Sequence, residues 1–202
     1  GFYVAEGSCG DRNGIRLSIG NGNGNVAFAP EITERMTRVF GIAPTLYEVV
    51  DRVAELKLVN RVAAAAWQSL FGFRDAESPT KRIPDLVFNV PASLRLAFLR
   101  GYFRGDGTAA AGRVGFATSS YDLASGLMYL LSSLGIVASL SEHEPDGKVR
   151  LIRGEPCITR RRYWQITVTA AEDLRRLEDL WSDHPAAAGI REHVERVDGT
   201  IN

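Results

Sequence analysis

Two acidic residues, Glu6 and Asp106, occupy the same position in a motif that occurs twice in the sequence. Residues 1–7 read GFYVAEG and residues 101–107 read GYFRGDG, which is glycine, two aromatic residues, a variable residue, a small residue, an acid and glycine. Carboxylates are hard oxygen ligands that suit Mg²⁺. A metal ion between carboxylates and a phosphate activates water and stabilises the leaving oxygen. The repeated acid predicts such a metal centre, whereas either motif alone is more typical of a helix-end acid that faces solvent.

Small residues in the two motifs predict how the acids are brought together. Gly1 and Ala5 are four residues apart, as are Gly101 and Gly105, so each pair lies on one face of a helix. Small residues let two helix backbones approach closely, and we expect the two motif helices to pack along these faces. Each helix then ends at its acid, where the helix dipole and the second carboxylate disfavour negative charge unless a cation binds. The glycine after each acid predicts a left-handed exit from the helix.

The elements that position the motifs also repeat. Three further blocks recur in the same order: FGIAPTLYE at 40–48 with LGIVASLSE at 134–142, LKLVN at 56–60 with ITVTA at 166–170, and AAAAWQSLF at 63–71 with AAEDLRRLEDLW at 170–181. Hydrophobic periodicity and stop signals predict helices at 1–6, 31–41, 61–71, 93–105, 121–134 and 170–182. The same patterns predict strands at 15–20, 43–50, 54–60, 112–119, 136–143 and 162–169. The chain therefore divides into a first half, 1–72, a connecting segment, 73–92, and a second half, 93–202.

The composition is that of a folded protein with one strongly basic stretch. Of the 202 residues, 45% are hydrophobic and 24% are charged, and the formal net charge is zero. Residues 148–162, KVRLIRGEPCITRRR, carry six basic residues and one acidic residue, which predicts either phosphate contacts or a solvated loop. No apolar run approaches the roughly 20 residues of a membrane span, and no leader is recognisable. Cys9 and Cys157 lack metal-type spacing, so we expect free thiols in a cytoplasmic protein.

Four segments together resemble a known family. They are FYVAEG at 2–7, FLRGYFRGDG at 98–107, SPTKRIPDLVFNVP at 78–91 and LGIVASL at 134–140. In these segments the chain resembles the two-motif LAGLIDADG (dodecapeptide, DOD-type) homing endonucleases, particularly the endonuclease domains of inteins. The resemblance extends from Gly1 to about Glu192.

The resemblance implies a fold, an activity and a set of site residues. The fold is α+β and pseudo-twofold, with two αββαββα halves whose antiparallel sheets form a saddle on DNA. The activity is site-specific double-strand DNA cleavage by a monomer that uses Mg²⁺, with Mn²⁺ as a substitute. Glu6, Asp106 and Lys81 match the catalytic residues, and Ala5 and Gly105 complete the implied metal site with the two acids. Extending the alignment places Arg191 opposite Lys81.

Strand alternation predicts which side chains face DNA. In 15–20, Ile15, Leu17 and Ile19 point towards the helices, while Arg16 and Ser18 point outwards. In 163–169, Trp164, Ile166 and Val168 form the inward set, while Gln165 and Thr167 point outwards. A further group of arginines is predicted to contact phosphates: Arg113, Arg150, Arg153, Arg160, Arg161 and Arg162.

The residues alone are also consistent with two other functions. The first is a LAGLIDADG protein that binds nucleic acid without cutting it, such as an RNA maturase or a transcription regulator. The second is an interaction domain that binds no nucleic acid, which the zero net charge favours. Retention of both acids and of Lys81 favours the nuclease.

Overall fold

The computed structural model describes residues 1–10, 14–20, 28–48, 53–71, 78–152, 155–158 and 161–201. These residues form two compact units, Gly1–Glu77 with Pro84–Gly105, and Ser78–Ile83 with Asp106–Asn202. The helix before the second acid therefore belongs to the first unit, although the sequence repeat assigns it to the second half. Within the described ranges, no helix has the length and apolar character needed to span a membrane.

The first unit is built on a four-stranded antiparallel sheet. Its elements are α1 (Phe2–Glu6), β1 (Gly7–Gly10), β2 (Gly14–Ser18), α2 (Ala29–Phe40), β3 (Thr45–Tyr47), β4 (Glu55–Leu58), α3 (Arg61–Phe71) and α4 (Ala92–Asp106). The strand order is β1-β2-β4-β3. Short 3-10 turns at Ser78–Thr80 and Asp85–Asn89 precede α4.

The second unit repeats this sheet and adds to it. Its elements are β5 (Gly107–Ala110), β6 (Arg113–Thr118), α5 (Tyr121–Ser132), β7 (Ser139–His143), β8 (Val149–Ile152), β9 (Glu155–Ile158), β10 (Tyr163–Val168), α6 (Ala171–Arg176), α7 (Glu178–Trp181) and α8 (Ala187–Ile201). The order β5-β6-β10-β7 matches the first sheet once β8 and β9, which pair only with each other, are set aside. The predicted α+β fold with two repeated halves is confirmed.

Side chains along β2 alternate between a buried face and a more exposed face of the first sheet. Ile15 and Leu17 of β2 are buried, whereas Arg16 and Ser18 between and after them are half-buried. Helix α3 packs on β1 and β2 and covers the apolar side. The inward and outward sets predicted for this strand are confirmed, as is the buried position of Ile19.

The second sheet follows the same rule with one exception. Ile166 and Val168 of β10 are fully buried, and α5 packs on β6 and β10. Trp164, predicted to be inward, is only half-buried because it lies near the start of the strand, where its ring meets exposed Tyr121 at a centroid distance of 5.5 Å.

The structure corrects four expectations about the elements. Strands β1 and β5 were not predicted, because GSCG and GTAA lack alternating bulky residues. No strand was predicted in residues 148–162, which contain the β8–β9 ribbon, and their phosphate contacts stay a prediction. The helix predicted at 170–182 is interrupted at Leu177, which has φ −99° and ψ 13°. Helix α8 lies beyond the last element that was predicted.

A buried carboxylate fixes the approach to β7. Asp173 of α6 is 5% exposed, accepts a hydrogen bond from the backbone N–H of Val137 at 3.0 Å, and lies near Arg176. Arg176 also donates to the carbonyl of Gly135 at 2.7 Å. Two side chains of one helix therefore hold the turn that leads into the edge strand.

We expect Asp173→Ala to lower the free energy of unfolding by about 1–3 kcal/mol, because it removes a hydrogen bond from the Val137 N–H to a buried, charged carboxylate. Urea denaturation followed by circular dichroism measures the change. Asp179→Ala is the control, since Asp179 is exposed on the neighbouring helix α7. Equal effects of the two substitutions would contradict this account of Asp173.

Candidate functional site

Helix α1 and the C-terminal part of α4 approach so closely that their contact requires glycine. A Cβ atom added to Gly1 would lie 1.8 Å from the carbonyl oxygen of Phe98, and one added to Gly101 would lie 2.9 Å from the backbone nitrogen of Phe2. Real Cβ atoms are not found at such distances from backbone. The close packing of the small-residue faces, predicted from the spacing of the motifs, is therefore present within the first unit.

Glu6 lies against this same helix contact. It is the last residue of α1 and is half-buried. A Cβ atom on Gly105 would be 2.4 Å from the Cβ of Ala5, 2.9 Å from the Cγ of Glu6 and 3.6 Å from its Oε1. The absence of a side chain at Gly105 therefore makes room for the acidic side chain of α1.

Aromatic packing anchors α1 beneath the acid. The ring of Tyr3 is buried and meets Trp67 of α3 edge-on, with ring centroids 5.2 Å apart. Phe71 of α3 contacts the Tyr3 ring at a centroid distance of 5.8 Å. A helix of only five residues is too short to be stable alone, so this packing holds Glu6 in place.

The glycines that follow the acids do not adopt the predicted left-handed conformation. Gly7 has φ −97° and ψ 156°, which is extended backbone, and it begins β1. A Cβ atom there would lie 2.2 Å from the ring atom Cδ2 of Tyr3 and 2.4 Å from its carbonyl oxygen. The expected left-handed exit is wrong, and glycine is required because the chain passes close to Tyr3. Gly107 likewise begins a strand, β5, and its φ is not positive.

In the second unit, Asp106 ends α4 and Lys81 lies in the segment that precedes this helix. Both side chains are half-buried. The carbonyl of Lys81 accepts a hydrogen bond of 2.5 Å from the hydroxyl of Ser120. Ser120 is fully buried and is also the N-cap of α5, where its oxygen accepts from the backbone N–H of Leu123 at 3.2 Å. One serine therefore links the lysine segment to the start of a helix.

A second contact docks the lysine segment on the same helix. Ile83 is 3% exposed, and its Cγ1 lies 3.3 Å from the position of a Cβ on Gly126 of α5. Neither contact was predicted from the sequence. The signal for Ser120 was present, because a serine before a helical stretch that begins with Tyr121 and Asp122 is a typical N-cap. Nothing in the sequence indicated that its hydroxyl also reaches Lys81.

The outward face of the first sheet carries the predicted Arg16 and Ser18 together with residues that were not predicted. Arg16 is opposite Lys57, and Ser18 is opposite Glu55 on β4. Lys57 Nζ lies 2.7 Å from Glu55 Oε2 and 4.7 Å from the centroid of the Tyr47 ring. Strand pairing, which a single strand pattern does not reveal, brings these side chains together.

The outward face of the second sheet carries the predicted Gln165 and Thr167. Both are half-buried, and they are opposite Ser141 and Ser139 of the edge strand β7. The rings of Tyr163 and His143 stack at the end of this face, with centroids 4.8 Å apart. The three residues of β7 were not among the predicted contacts.

Of the predicted phosphate contacts, three arginines have described side chains. Arg113 is exposed at the start of β6, and Arg161 is exposed before β10. Arg162 forms ion pairs with Glu142, at 2.7 Å, and with Glu144, and these carboxylates offset its charge. The side chain of Arg150 and all of Arg153 and Arg160 lie outside the described residues.

Arg191, aligned with Lys81 in the sequence, lies on α8. Its guanidinium is 3.8 Å from Glu178 and 5.7 Å from the centroid of the Trp181 ring. These contacts give the side chain a structural role, and its correspondence to Lys81 stays a prediction.

The predicted metal centre depends on few protein ligands. Across the described ranges, no group of three or more His, Cys, Asp or Glu side chains is arranged to hold a metal ion. The ligands predicted from the sequence, Glu6 and Asp106, would supply carboxylate oxygens, which suit a cation that keeps several water and phosphate ligands. The donor chemistry therefore fits Mg²⁺ and does not fit a closed zinc site.

An ion-pair cluster ties α2 to the C-terminal turn of α4. The guanidinium of Arg104 donates a hydrogen bond of 2.9 Å to Glu31 and lies 4.1 Å from the centroid of the Phe28 ring. This hydrogen bond lowers the pKa of the Glu31 carboxyl below its ordinary value of 4.5. Partial burial opposes the change, and the charge of Arg104 and the hydrogen bond from Arg35 reinforce it.

Because the folded pKa of Glu31 lies below the unfolded value, its charge stabilises the fold above pH 4.5, and that stabilisation is lost as the pH falls through the lowered pKa. We therefore expect Glu31→Gln to lower stability at neutral pH and to flatten its dependence on pH on the acid side. Urea titrations at a series of pH values measure this, with Glu34→Gln, an exposed neighbour on α2, as control. An unchanged acid slope in Glu31→Gln would contradict the assignment.

Comparison with known proteins places these features in a family. Residues 93–182 match the LAGLIDADG-like domain. The chain is 32% identical over 143 residues to the DNA polymerase of Thermococcus sp. (strain GE8), a match that covers 68% of this chain and 8% of the relative. It is 27% identical over 183 residues to the replication factor C small subunit of Methanocaldococcus jannaschii, covering 89% of this chain and 9% of the relative.

A solved structure has the same fold. The homing endonuclease I-DmoI in complex with DNA and Ca aligns with a TM-score of 0.61 at 13% identity, over 95% of this chain and 94% of that one. At this identity the likeness concerns the fold. The curated relatives are far longer, since the chain spans 8% and 9% of their lengths.

Proposed function

This chain belongs to the LAGLIDADG family, and from that premise we propose that it is a site-specific double-strand DNA endonuclease that hydrolyses phosphodiester bonds with a divalent metal ion. The main support for the proposal is the position of the two acids, one at the end of α1 and one at the end of α4. Glu6 ends a helix held by glycine contacts and aromatic packing, and Asp106 ends the helix whose glycines make those contacts. This packing restricts the Glu6 carboxylate more than is usual for an acid on the protein surface.

We assign Glu6 and Asp106 as the carboxylate ligands of the metal, with Ala5 and Gly105 as the adjoining backbone. When bound there, Mg²⁺, or Mn²⁺ in its place, supplies a Lewis acid that activates water and stabilises the leaving oxygen. The protein orients the two acids, because each of them is the last residue of a helix.

Lys81 is assigned to charge stabilisation at the phosphate. An ammonium group placed near a phosphate oxygen favours the transition state, in which negative charge increases. The hydrogen bond from Ser120 fixes the carbonyl of Lys81, and Ile83 packs on α5, so two contacts hold the backbone that directly follows the Cα atom of Lys81. Ser120 is therefore assigned as a positioning residue that acts through Lys81.

We expect Ser120→Ala to slow cleavage about tenfold in the wild-type background and to have no further effect when Lys81 is already methionine. Loss of the N-cap also costs about 1 kcal/mol of stability, which thermal unfolding measures separately. Ser120→Thr, which keeps the hydroxyl, restores the rate. Ser133→Ala is the control, because that hydroxyl donates to the Leu130 carbonyl at the other end of α5. Additive effects of Ser120→Ala and Lys81→Met would contradict the assignment.

The open faces of the two sheets are assigned to DNA. One side of each sheet is buried by helices, and the other carries Arg16, Ser18, Gln165 and Thr167, side chains that suit contacts with base edges. Arg113, Arg161 and the basic ribbon region supply phosphate contacts, which explains how a chain of zero net charge would bind DNA.

The nature of the curated relatives supports an origin as an intein endonuclease. A DNA polymerase and a replication factor subunit have different functions, yet both match this chain over less than a tenth of their own length. A segment carried by different host proteins is typical of a mobile insert. We propose that this domain derives from such an insert.

Incubation with a randomised duplex library tests the function. We expect selective binding with Ca²⁺ and cutting of the selected duplexes with Mg²⁺. Binding without cutting under both conditions would replace the nuclease with a non-cutting nucleic-acid binder. Absence of binding at low salt would reject both.

A further inference from the structure

The uncovered side of the first sheet, here called the first polar face, is rich in charge. Strand register places Ser8, Arg16, Lys57 and Thr45 in one row, and Ser18, Glu55 and Tyr47 in the next. Opposed residues share a face of the sheet. Three of the seven side chains are charged, and the pair formed by Lys57 and Glu55 lies beside Arg16.

The uncovered side of the second sheet, here called the second polar face, is chemically different. Its two central rows are Thr108, Gly115, Thr167 and Ser139, and Ala117, Gln165 and Ser141. Every one of these seven residues is uncharged. Hydroxyl groups, one amide and methyl groups make up the whole of this central area.

A glycine shapes the centre of the second polar face. A Cβ atom on Gly115 would lie 3.0 Å from Thr108 Oγ1 and 3.9 Å from Gln165 Nε2. Gly115 is buried, and a Cβ atom there would also lie 3.1 Å from the carbonyl oxygen of Ile166, so glycine lets the Thr108 hydroxyl pack closely against the centre of the sheet.

The two polar faces suit different base pairs, because the edges of G·C and A·T pairs present different donors, acceptors and methyl groups. Arginine and lysine donate to the O6 and N7 acceptors of guanine, and glutamate accepts from the amino group of cytosine. Glutamine pairs with N6 and N7 of adenine, while alanine and threonine methyl groups contact the methyl of thymine. The first polar face therefore suits G·C pairs, and the second suits A·T pairs.

We propose that the DNA target is asymmetric in composition, with a G·C-rich half contacted by the first polar face and an A·T-rich half contacted by the second. The inference rests on the proposed function, because it requires that the two faces bind DNA. It adds the base composition of the DNA that each polar face contacts. Arg16 and Gln165 are the residues that determine the difference.

Selection of bound duplexes from a randomised library, with Ca²⁺ present, tests the proposal. The enriched sequences are expected to have one G·C-rich half and one A·T-rich half. Arg16→Ala is expected to reduce base preference about tenfold at positions in the G·C-rich half only, and Gln165→Ala to do so in the A·T-rich half only. Arg38→Ala, an exposed arginine on α2, is the charge-matched control and leaves both halves unchanged.

A substitution that transfers preference provides the second test. Gln165→Arg is expected to convert at least one A·T position of its half to G·C, with thermal unfolding used to confirm that the variant is folded. Enriched targets with equal composition in both halves, or Arg16→Ala and Gln165→Ala relaxing the same positions, would overturn the proposal while DNA binding stands. Failure to enrich any duplex would instead overturn the proposed function and the inference with it.

Discussion

We expect Asp106→Asn to abolish DNA cleavage while leaving DNA affinity unchanged, and Glu6→Gln to do the same. Each substitution keeps the size of the side chain and removes the negative charge that holds a divalent cation. Loss of metal-dependent activation is worth several kcal/mol, so the cleavage rate is expected to fall about a thousandfold or more. Single-turnover cleavage of a selected duplex in Mg²⁺ gives the rate, and binding in Ca²⁺ gives the affinity.

Two control substitutions distinguish the loss of a metal ligand from the loss of one negative charge at an exposed position. Asp122→Asn removes one negative charge from an exposed position in the first turn of α5, and Glu34→Gln does so on α2. Both are expected to cut at the wild-type rate. A Glu6 or Asp106 variant that cuts as fast as these controls would remove that residue from the metal centre.

Gly105→Ala is expected to reduce both stability and cleavage. Its Cβ would meet the Cβ of Ala5 at 2.4 Å and the Cγ of Glu6 at 2.9 Å, so the helices must separate and the acid must move. Overpacking of this kind costs about 1–3 kcal/mol. Urea denaturation and the cleavage assay measure the two effects.

A swap of the two small residues is the control for this prediction. Ala5→Gly combined with Gly105→Ala moves one methyl group from α1 to α4 and relieves the contact between the two Cβ atoms. We expect the double variant to recover most of the stability lost in Gly105→Ala. Stability that stays low in the double variant would show that the contact with Ala5 is not the cause.

Features of the chain that repeat were predictable from the sequence. The two motifs, the repeated order of the predicted elements and the close approach of Gly1 and Gly101 follow from residue types that recur at matching positions. Strand alternation correctly separated Ile15 and Leu17 from Arg16 because a half-buried strand has a period of two. The end of α2 at Gly41 was also predictable, since glycine is the usual residue for the positive φ, here 68°, at a helix end. Helix α5 ends earlier than the predicted residue 134, at Ser132, and Gly135, with φ 72°, lies in the turn that follows.

Features that depend on contacts distant in sequence were not predictable. The bond between Ser120 and Lys81 joins residues 39 positions apart, and neither local pattern records it. Gly7 illustrates the same limit, because its small size was interpreted as a turn requirement, whereas the cause is the ring of Tyr3. Strands β1 and β5 contain small residues that carry no periodic signal, and they are stabilised by pairing with β2 and β6.

The most direct measurement of the central claim uses a supercoiled plasmid that carries one selected target. With Mg²⁺, the wild-type protein is expected to convert the plasmid to a single linear product, and with Ca²⁺ to leave it supercoiled while bound. The Asp106→Asn variant is expected to bind equally and to leave the plasmid supercoiled in both metals. A plasmid that stays uncut by the wild-type protein in Mg²⁺ and in Mn²⁺, although the target is occupied, would contradict the assignment of this chain as a metal-dependent endonuclease.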